Sequence, residues 1–318
     1  MDDWTNQASG PLVTPERLKQ LSLRSDRRGL LQLLSQFVAL AATSTLLFVA
    51  KGSWWVVLPF MIQGMLLNGL YAGQHEMSHR TAFKSRRLND WIGELIGFVM
   101  ILPARWDQKF HFAHHRNTQD PKRDPELLAY GIFNLPSWRV SLLGLPFGWG
   151  QAKAMVQVAR GFFPSYAWWL SNAERPQMIR EARLHLAGYA LILLLSVWFD
   201  SWTALEYWLG PLLAMKSIYQ LQNIGEHTGL AHDPDTLRCT RTLRGPSPMR
   251  WLVWNMSYHA AHHTYPSVPF HRLPQLDAEL RRRTDAISAT TRGYIQAQFD
   301  IVRTLRVTAV PEGEVAAS

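Results

Sequence analysis

The chain of 318 residues contains a single cysteine, Cys239. One thiol cannot close a disulfide within the chain, and it cannot build a Cys-ligated zinc or iron–sulfur site. Also missing are a G-x-S-x-G elbow, a G-x-G-x-x-G turn and a P-loop, so elbow-type nucleophilic hydrolysis and phosphate-cradling nucleotide sites have no foothold. Acidic residues are fewer than basic ones, 24 against 33, for a net charge of +9. The Lys and Arg residues crowd beside apolar runs instead of forming one reading face, which suits anionic lipid headgroups and argues against a nucleic-acid partner. The start, MDDWTNQASG, is acidic and polar where a secretory signal is basic and then apolar, so cleavage and export are not expected.

Against these absences stands a hydrophobic content of 47% with fourteen Trp. Thr14, Pro15 and Glu16 read as an N-cap, a first-turn proline and a dipole-matching acid, opening a basic surface helix with Arg17, Lys19, Arg24, Arg27 and Arg28. Leu30 to Ala50 and Trp54 to Tyr71 carry no charge and are each close to the length needed to cross a hydrocarbon layer of ~30 Å. Separated by Lys51-Gly52-Ser53, they predict a transmembrane hairpin. Leu186 to Phe199 and Leu205 to Leu221 predict a second, in which Glu206 and Lys216 must snorkel or face the protein interior. Trp91 to Ala104 is apolar but short and holds Glu94, so it is expected to be buried or re-entrant.

The expected fold is therefore all-α and integral to the membrane, with about four spans in two hairpins and a cytoplasmic cap. Residues 1–29 form a basic N-terminal segment, 30–276 the membrane domain, and 277–318 a C-terminal helix and disordered tail from Val310. Arg80, Lys84, Arg86, Arg87, Arg105 and Lys109 put that cap and both termini on the cytoplasmic side of an inner or plasma membrane.

What is abundant is histidine in three short windows. HEMSH holds His75 and His79, HFAHH holds His111, His114 and His115, and HAAHH holds His259, His262 and His263. Eight of the twelve histidines occupy fifteen positions that would hold fewer than one at the chain's average frequency. Imidazoles at i, i+4 on a helix converge on one metal, and adjacent pairs can point at two. The windows therefore suit a nitrogen-rich, two-metal site. His227, four residues after Asn223 in QNIGEHTG, is a further ligand candidate, and Asn223 is suited to hold a metal-bound water. Glu76, Asp120, Asp124 and Glu226 are candidate acceptors for ligand N–H groups, while His185 and His232 read as packing or solvent-facing.

HEMSH also satisfies H-E-x-x-H, the zinc-protease helix in which the Glu is general base. Such an enzyme needs three protein ligands and leaves the other histidines without a task. A ferritin-type carboxylate site is weaker, since only Glu76 to His79 fits the Glu-x-x-His spacing.

The three windows, their order and their placement resemble the membrane-bound fatty acid desaturase and hydroxylase superfamily over roughly Leu30 to Leu276. The resemblance implies two non-haem irons that activate O2 to remove hydrogen from an unactivated C–H bond. It implies iron ligation by His75, His79, His111, His114, His115, His227, His259, His262 and His263, with Asn223 holding a water. A redox-inert zinc cannot drive that chemistry. Two subfamily cues diverge: N-x-x-E-H-x-G at Asn223 to Gly229 looks like alkane hydroxylases, and H-H-x-x-P-x-V-P-x-x-x-L-P at His262 to Pro274 looks like carotenoid ketolases and some bacterial desaturases. Desaturation of a lipid acyl chain is the leading expectation; hydroxylation or ketolation of an apolar substrate, or oxidation of a small polar metabolite, are the others. Electrons are expected from a separate ferredoxin or cytochrome with its reductase.

Overall fold

The computed structural model describes residues 12–284 and 289–307, and these are mostly helical, with two two-residue strands. The start MDDWTNQASG and the tail from Val310 lie outside the described residues. Helix α1, Pro15–Leu21, begins as the sequence signals, with the Thr14 side chain accepting from the Arg17 N–H. It does not run on through the basic stretch. Ser25 caps a new helix, α2, Asp26–Ala50, and Arg27 and Arg28 belong to that helix's first turn.

Helix α2 and helix α3, Val57–Ser78, form the expected hairpin across a short turn at 51–56. Helix α2 buries one stripe, Gly29, Leu33, Gln36, Thr43 and Leu47, and leaves Leu31, Leu34, Val38, Phe48 and Val49 exposed. An apolar surface of that extent is what a lipid-facing helix presents. Gln36 lies on the buried stripe with both ends of its amide bonded: Nε2 donates to the Leu252 carbonyl at 2.9 Å, and Oε1 accepts from Trp254 Nε1 at 2.8 Å. The opposite face of α3 is shaped by glycine. A Cβ on Gly73 would stand 3.0 Å from the Trp254 ring, so the bare backbone lets that buried indole press against the helix.

Helix α4, Arg86–Met100, packs on α3. The reading of a buried or re-entrant segment holds only for one side, since Trp91 and Leu95 are exposed. Next come α5, Ala104–Arg116, and the short α6, Pro125–Tyr130, and α7, Leu135–Ser141; then α8, Leu145–Ala159, and the long α9, Arg175–Trp198. Among the described residues, three helices, spanning Asp26–Ala50, Trp54–Ser78 and Arg175–Trp198, are long and apolar enough to cross a membrane.

The fourth expected span, Leu205 to Leu221, is not one helix. It divides into a π-helical turn Leu205–Leu209, α10 Gly210–Ala214, and α11 Lys216–His227. Pro211 has no N–H to continue the ladder, and side chains of α3 take the carbonyls around it: Gln63 donates to Tyr207 O and Asn68 to Leu212 O, both at 3.0 Å. The two charges in this run find different solutions. Glu206 pairs with Lys51 at 2.8 Å at the hairpin end, whereas Lys216 is buried with its ammonium 4.3 Å from the Tyr219 ring centroid.

The chain then forms α12, Thr236–Cys239, strand β1, Thr242–Leu243, and α13, Ser247–Leu252. Two consecutive left-handed residues, Trp254 and Asn255, reverse it before α14, His259–Thr264. Helix α15, Leu273–Arg283, strand β2, Thr290–Thr291, parallel to β1, and α16, Tyr294–Val307, complete the described chain. Helix α16 packs on α11 through Ile301 and Leu305 against Ile224.

Candidate metal centre

All three histidine windows sit at the same end of the long helices, the end opposite the Lys51–Glu206 pair. His75 lies in the last turn of α3 and His79 is its C-cap. Helix α5 carries His111, His114 and His115; His227 is the final residue of α11; His259, His262 and His263 make up half of α14. Helix α5 is held at its N-terminus from a distance, because the buried Glu181 of α9 accepts from the Arg105 N–H at 2.9 Å and the Trp106 N–H at 3.3 Å.

The nine imidazoles form two adjoining groups. His75, His79, His111, His115 and His262 bring one ligand atom each to within 4.8 Å of one another, as do His114, His227 and His263. His259 joins the second group, with its Nε2 3.1 Å from the Nε2 of His227 and 3.1 Å from that of His263. The division follows helix geometry. Neighbours in sequence are about 100° apart at 3.6 residues per turn, so His114 and His115 serve different groups, as do His262 and His263. Residues at i, i+4 share a face, so His75 with His79, His111 with His115 and His259 with His263 stay together. The rings of His115 and His263 stack at 4.0 Å and 10° where the groups meet.

Every one of the nine presents Nε2 to its group. In the first, Nε2–Nε2 separations are 2.8 Å for His75–His262, 2.8 Å for His79–His111 and 3.2 Å for His115–His262. In the second, the tautomers of three of the four rings, His114, His227 and His263, are fixed from behind. His114 Nδ1 faces the Asp124 carboxylate at 2.9 Å, and His227 Nδ1 faces the Cys239 carbonyl at 3.0 Å. His263 Nδ1 meets Thr118 Oγ1 at 3.2 Å, and that hydroxyl already donates to the His114 carbonyl at 2.9 Å. Each Nδ1 thus gives its proton to an acceptor. As neutral rings, His114, His227 and His263 aim three bare lone pairs at one region, which only a cation reconciles.

Burial holds His79 down to about 3 and pushes His111, His115, His227, His259, His262 and His263 well below the usual histidine range, so these are neutral rings in the ligand form. His114 goes the other way. Burial opposes its charge, but Asp124 and Glu126 outweigh it and raise the ring to about 9. In the metal-free chain, a proton on His114 is the cation at this point; a bound metal takes its place. Five nitrogens in one group exceed the three protein ligands of a catalytic zinc, and imidazole sets of this kind also accept iron, copper or nickel.

Of the four flagged carboxylates, one takes the expected place behind a ligand ring. Asp124 orients His114 and also accepts from the Gln119 and Glu126 N–H groups at 2.7 and 2.9 Å. Glu226, buried, lies 3.4 Å from His259 Nε2, on the metal-facing nitrogen instead of behind the ring, and burial raises its carboxyl well above the usual range. Glu76 and Asp120 do not serve as acceptors for ligand rings. Glu76 accepts from Thr81 Oγ1 at 2.7 Å and the Phe270 N–H at 3.1 Å, tying α3 to the chain after the third window. Asp120 accepts from the Lys122 N–H in its own turn. With Glu76 so engaged and five histidines around His75 and His79, the zinc-protease arrangement does not fit.

Asn223 is half-buried one turn before His227 and lines, with His227, a cavity of 290 Å³ without joining either group. His185 bonds the Glu181 carbonyl and His232 the Gln119 carbonyl, both at 3.0 Å, consistent with structural roles. Sequence reasoning missed Thr118 and the Cys239 carbonyl. Thr118 follows HFAHH by three residues, a weak signal; a backbone carbonyl leaves none.

A family model described as fatty acid desaturase matches residues 52–294. The chain is 28% identical over 273 residues to a sphingolipid delta(4)-desaturase DES1 of Drosophila melanogaster, covering 80% of this chain and 76% of the relative. It is 23% identical over 270 residues to a fatty acid desaturase of Bacillus subtilis, covering 78% and 75%. To the sphingolipid delta(4)-desaturase/C4-monooxygenase DES2 of Mus musculus it is 24% identical over 228 residues, covering 70% and 64%.

Proposed function

Because this chain belongs to the fatty acid desaturase family, we propose that it is an O2-dependent, di-iron enzyme that desaturates the acyl or alkyl chain of a membrane lipid. That it is a membrane oxidoreductase follows from the family and from its three long apolar helices. The observation that carries the rest is the convergence of nine Nε2 atoms in two adjoining groups.

In this reading His75, His79, His111, His115 and His262 hold one iron, and His114, His227, His259 and His263 the other, with Asn223 next to the second. Two irons, when bound, supply oxidising equivalents from O2. The chain's own part is positional. Asp124, Thr118 and the Cys239 carbonyl keep three rings turned inward. The adjoining cavity of 560 Å³ gives an alkyl chain an apolar bed between α8 and α9.

The topology we propose has the histidine end cytoplasmic, with four passes, the last through the broken segment 205–221, and with 1–29 and 277–318 flanking the membrane unit at 30–276. Arg80, Lys84, Arg86 and Arg87 lie at the histidine end, against Lys51, Asp200 and Glu206 at the other, which supports it. A separate ferredoxin or cytochrome delivers electrons. Hydroxylation is the second reading, favoured by Asn223–Gly229 and by a relative whose name joins desaturase to C4-monooxygenase.

Expression with a redox partner, followed by mass spectrometry of the lipids, tests the proposal. Loss of two hydrogens, dependent on O2 and abolished by His262→Ala, is expected; gain of one oxygen selects the second reading, and unchanged lipids and metabolites contradict both.

A further inference from the structure

Helix α16 carries two apolar stripes where one is enough to dock it. Tyr294, Ala297, Ile301 and Leu305 recur at helical spacing and are buried against the rest of the fold. Ile295, Phe299 and Val302 repeat that spacing on a second face, and Ile295 and Phe299 are 71% and 67% exposed. Helix α7 lies alongside, held by the Trp138 Nε1 bond to Gln298 Oε1 at 2.9 Å and by Leu142 packed with Ile301 and Leu305. A groove of 820 Å³ runs here, with Leu135, Leu142, Leu221, Phe299 and Val302 in its wall. Val140, Leu143, Leu145 and Trp149, where α7 leads into α8, are exposed as well. An exposed apolar surface of this extent marks a site of contact.

Three guanidinium groups line the same groove, those of Arg139, Arg303 and Arg306, and all three residues are exposed. No carboxylate lines it, and none of the three makes an ion pair among the described residues. Asp300, the acid of α16, accepts from Gln296 Nε2 at 3.0 Å and is not part of the groove wall. Elsewhere the chain neutralises its arginines: Arg80 meets Asp90 at 2.8 Å and Arg281 meets Asp277 at 2.9 Å. Like charges three residues apart, as in Arg303 and Arg306, disfavour a helix, and Arg139 adds a third. An anion offsets that cost, and guanidinium forks match the oxygens of a phosphate.

We propose that the groove between α7 and α16 holds an anionic phospholipid, its phosphate on Arg139, Arg303 and Arg306 and its acyl chains along Leu142, Leu221, Phe299 and Val302. A soluble anion would answer the three charges and leave the apolar stripe in water; a neutral lipid would cover the stripe and leave the charges unanswered. The anionic lipid does both. This lipid is not the substrate, since no histidine of either group lines the groove. Its role is to clamp a helix. Through Thr304 and Leu305, α16 also walls the 290 Å³ cavity that reaches His227, and through Ile301 and Leu305 it packs on Ile224, so a lipid that steadies α16 steadies the surroundings of the second histidine group.

Protein purified in a neutral detergent tests this, with dioleoylphosphatidylglycerol, dioleoylphosphatidylcholine or glycerol 3-phosphate added at equal concentration and read by thermal transition and native mass spectrometry. Phosphatidylglycerol should raise the transition by about 3 °C or more and stay bound as one lipid per chain; the other two should do neither. The triple variant Arg139→Gln, Arg303→Gln, Arg306→Gln should lose the shift, and the double variant Arg86→Gln, Arg87→Gln, which removes two exposed cations away from the groove, should keep it. Phe299→Gln leaves every charge in place and should lose part of the shift, which gives a reading even if the triple variant does not fold. Equal protection by phosphatidylcholine or by glycerol 3-phosphate overturns the proposal. So does a shift that survives in the triple variant, or one that the double variant abolishes as completely.

Discussion

His114 and His227 face each other Nε2 to Nε2 at 3.3 Å, while the Nδ1 of each is given to an acceptor, the Asp124 carboxylate for one and the Cys239 carbonyl for the other. Two rings so oriented cannot satisfy each other as neutral groups. The residues that turn them inward are therefore part of the candidate metal centre, though none is a ligand.

Asp124→Asn tests that directly. An amide can still cap the turn through its oxygen, but it can present an N–H to His114 Nδ1 and favours the wrong tautomer. The fold should persist, and affinity for the second metal should fall by about 10–100-fold, as for other residues behind a ligand. Titration of apo-protein with ferrous ion, followed by metal analysis, reads the change; unaltered affinity would remove Asp124 from the centre.

Cys239 reports on the same place from its side chain. It is fully buried, and burial pushes its thiol up to about 12. Iodoacetamide at roughly neutral pH should leave the native protein unlabelled and modify it once after denaturation, since the thiolate is the reacting form. Because the Cys239 carbonyl holds His227, chelation of the metal should raise the labelling rate. Rapid labelling of the metal-loaded protein would contradict the packing described.

Gln36 makes a separable test of the hairpin. Gln36→Leu leaves the buried Trp254 N–H and Leu252 carbonyl without their partner and should destabilise the protein by about 1–3 kcal/mol. A lowered thermal transition in detergent with unchanged iron content is the expected result, because Gln36 lies outside both histidine groups. An unchanged transition would mean that the network contributes nothing.

Much of this was legible in the sequence, for physical reasons. The i, i+4 and adjacent spacings in the three windows specify which rings share a face and which diverge, and the structure sorts them into two groups along those lines. Uncharged runs marked the first hairpin to within a few residues, because length and lack of charge are what a spanning helix requires. The segment 205–221 was harder, since a break at Gly210-Pro211 is met by Gln63 and Asn68 of another helix, whose side-chain amides donate to its carbonyls. Carboxylates were legible only as candidates. Asp124 and Glu76 look alike in sequence, and it is the tertiary fold that turns one to a ligand ring and the other to Phe270.

The central claim is that two groups of imidazoles hold two irons, and element analysis of detergent-purified protein with its single-site variants measures it most directly. The account expects two irons per chain in the wild type and loss of metal on His262→Ala in the first group and on His263→Ala in the second. One zinc per chain without iron, or full iron content in both variants, would contradict it.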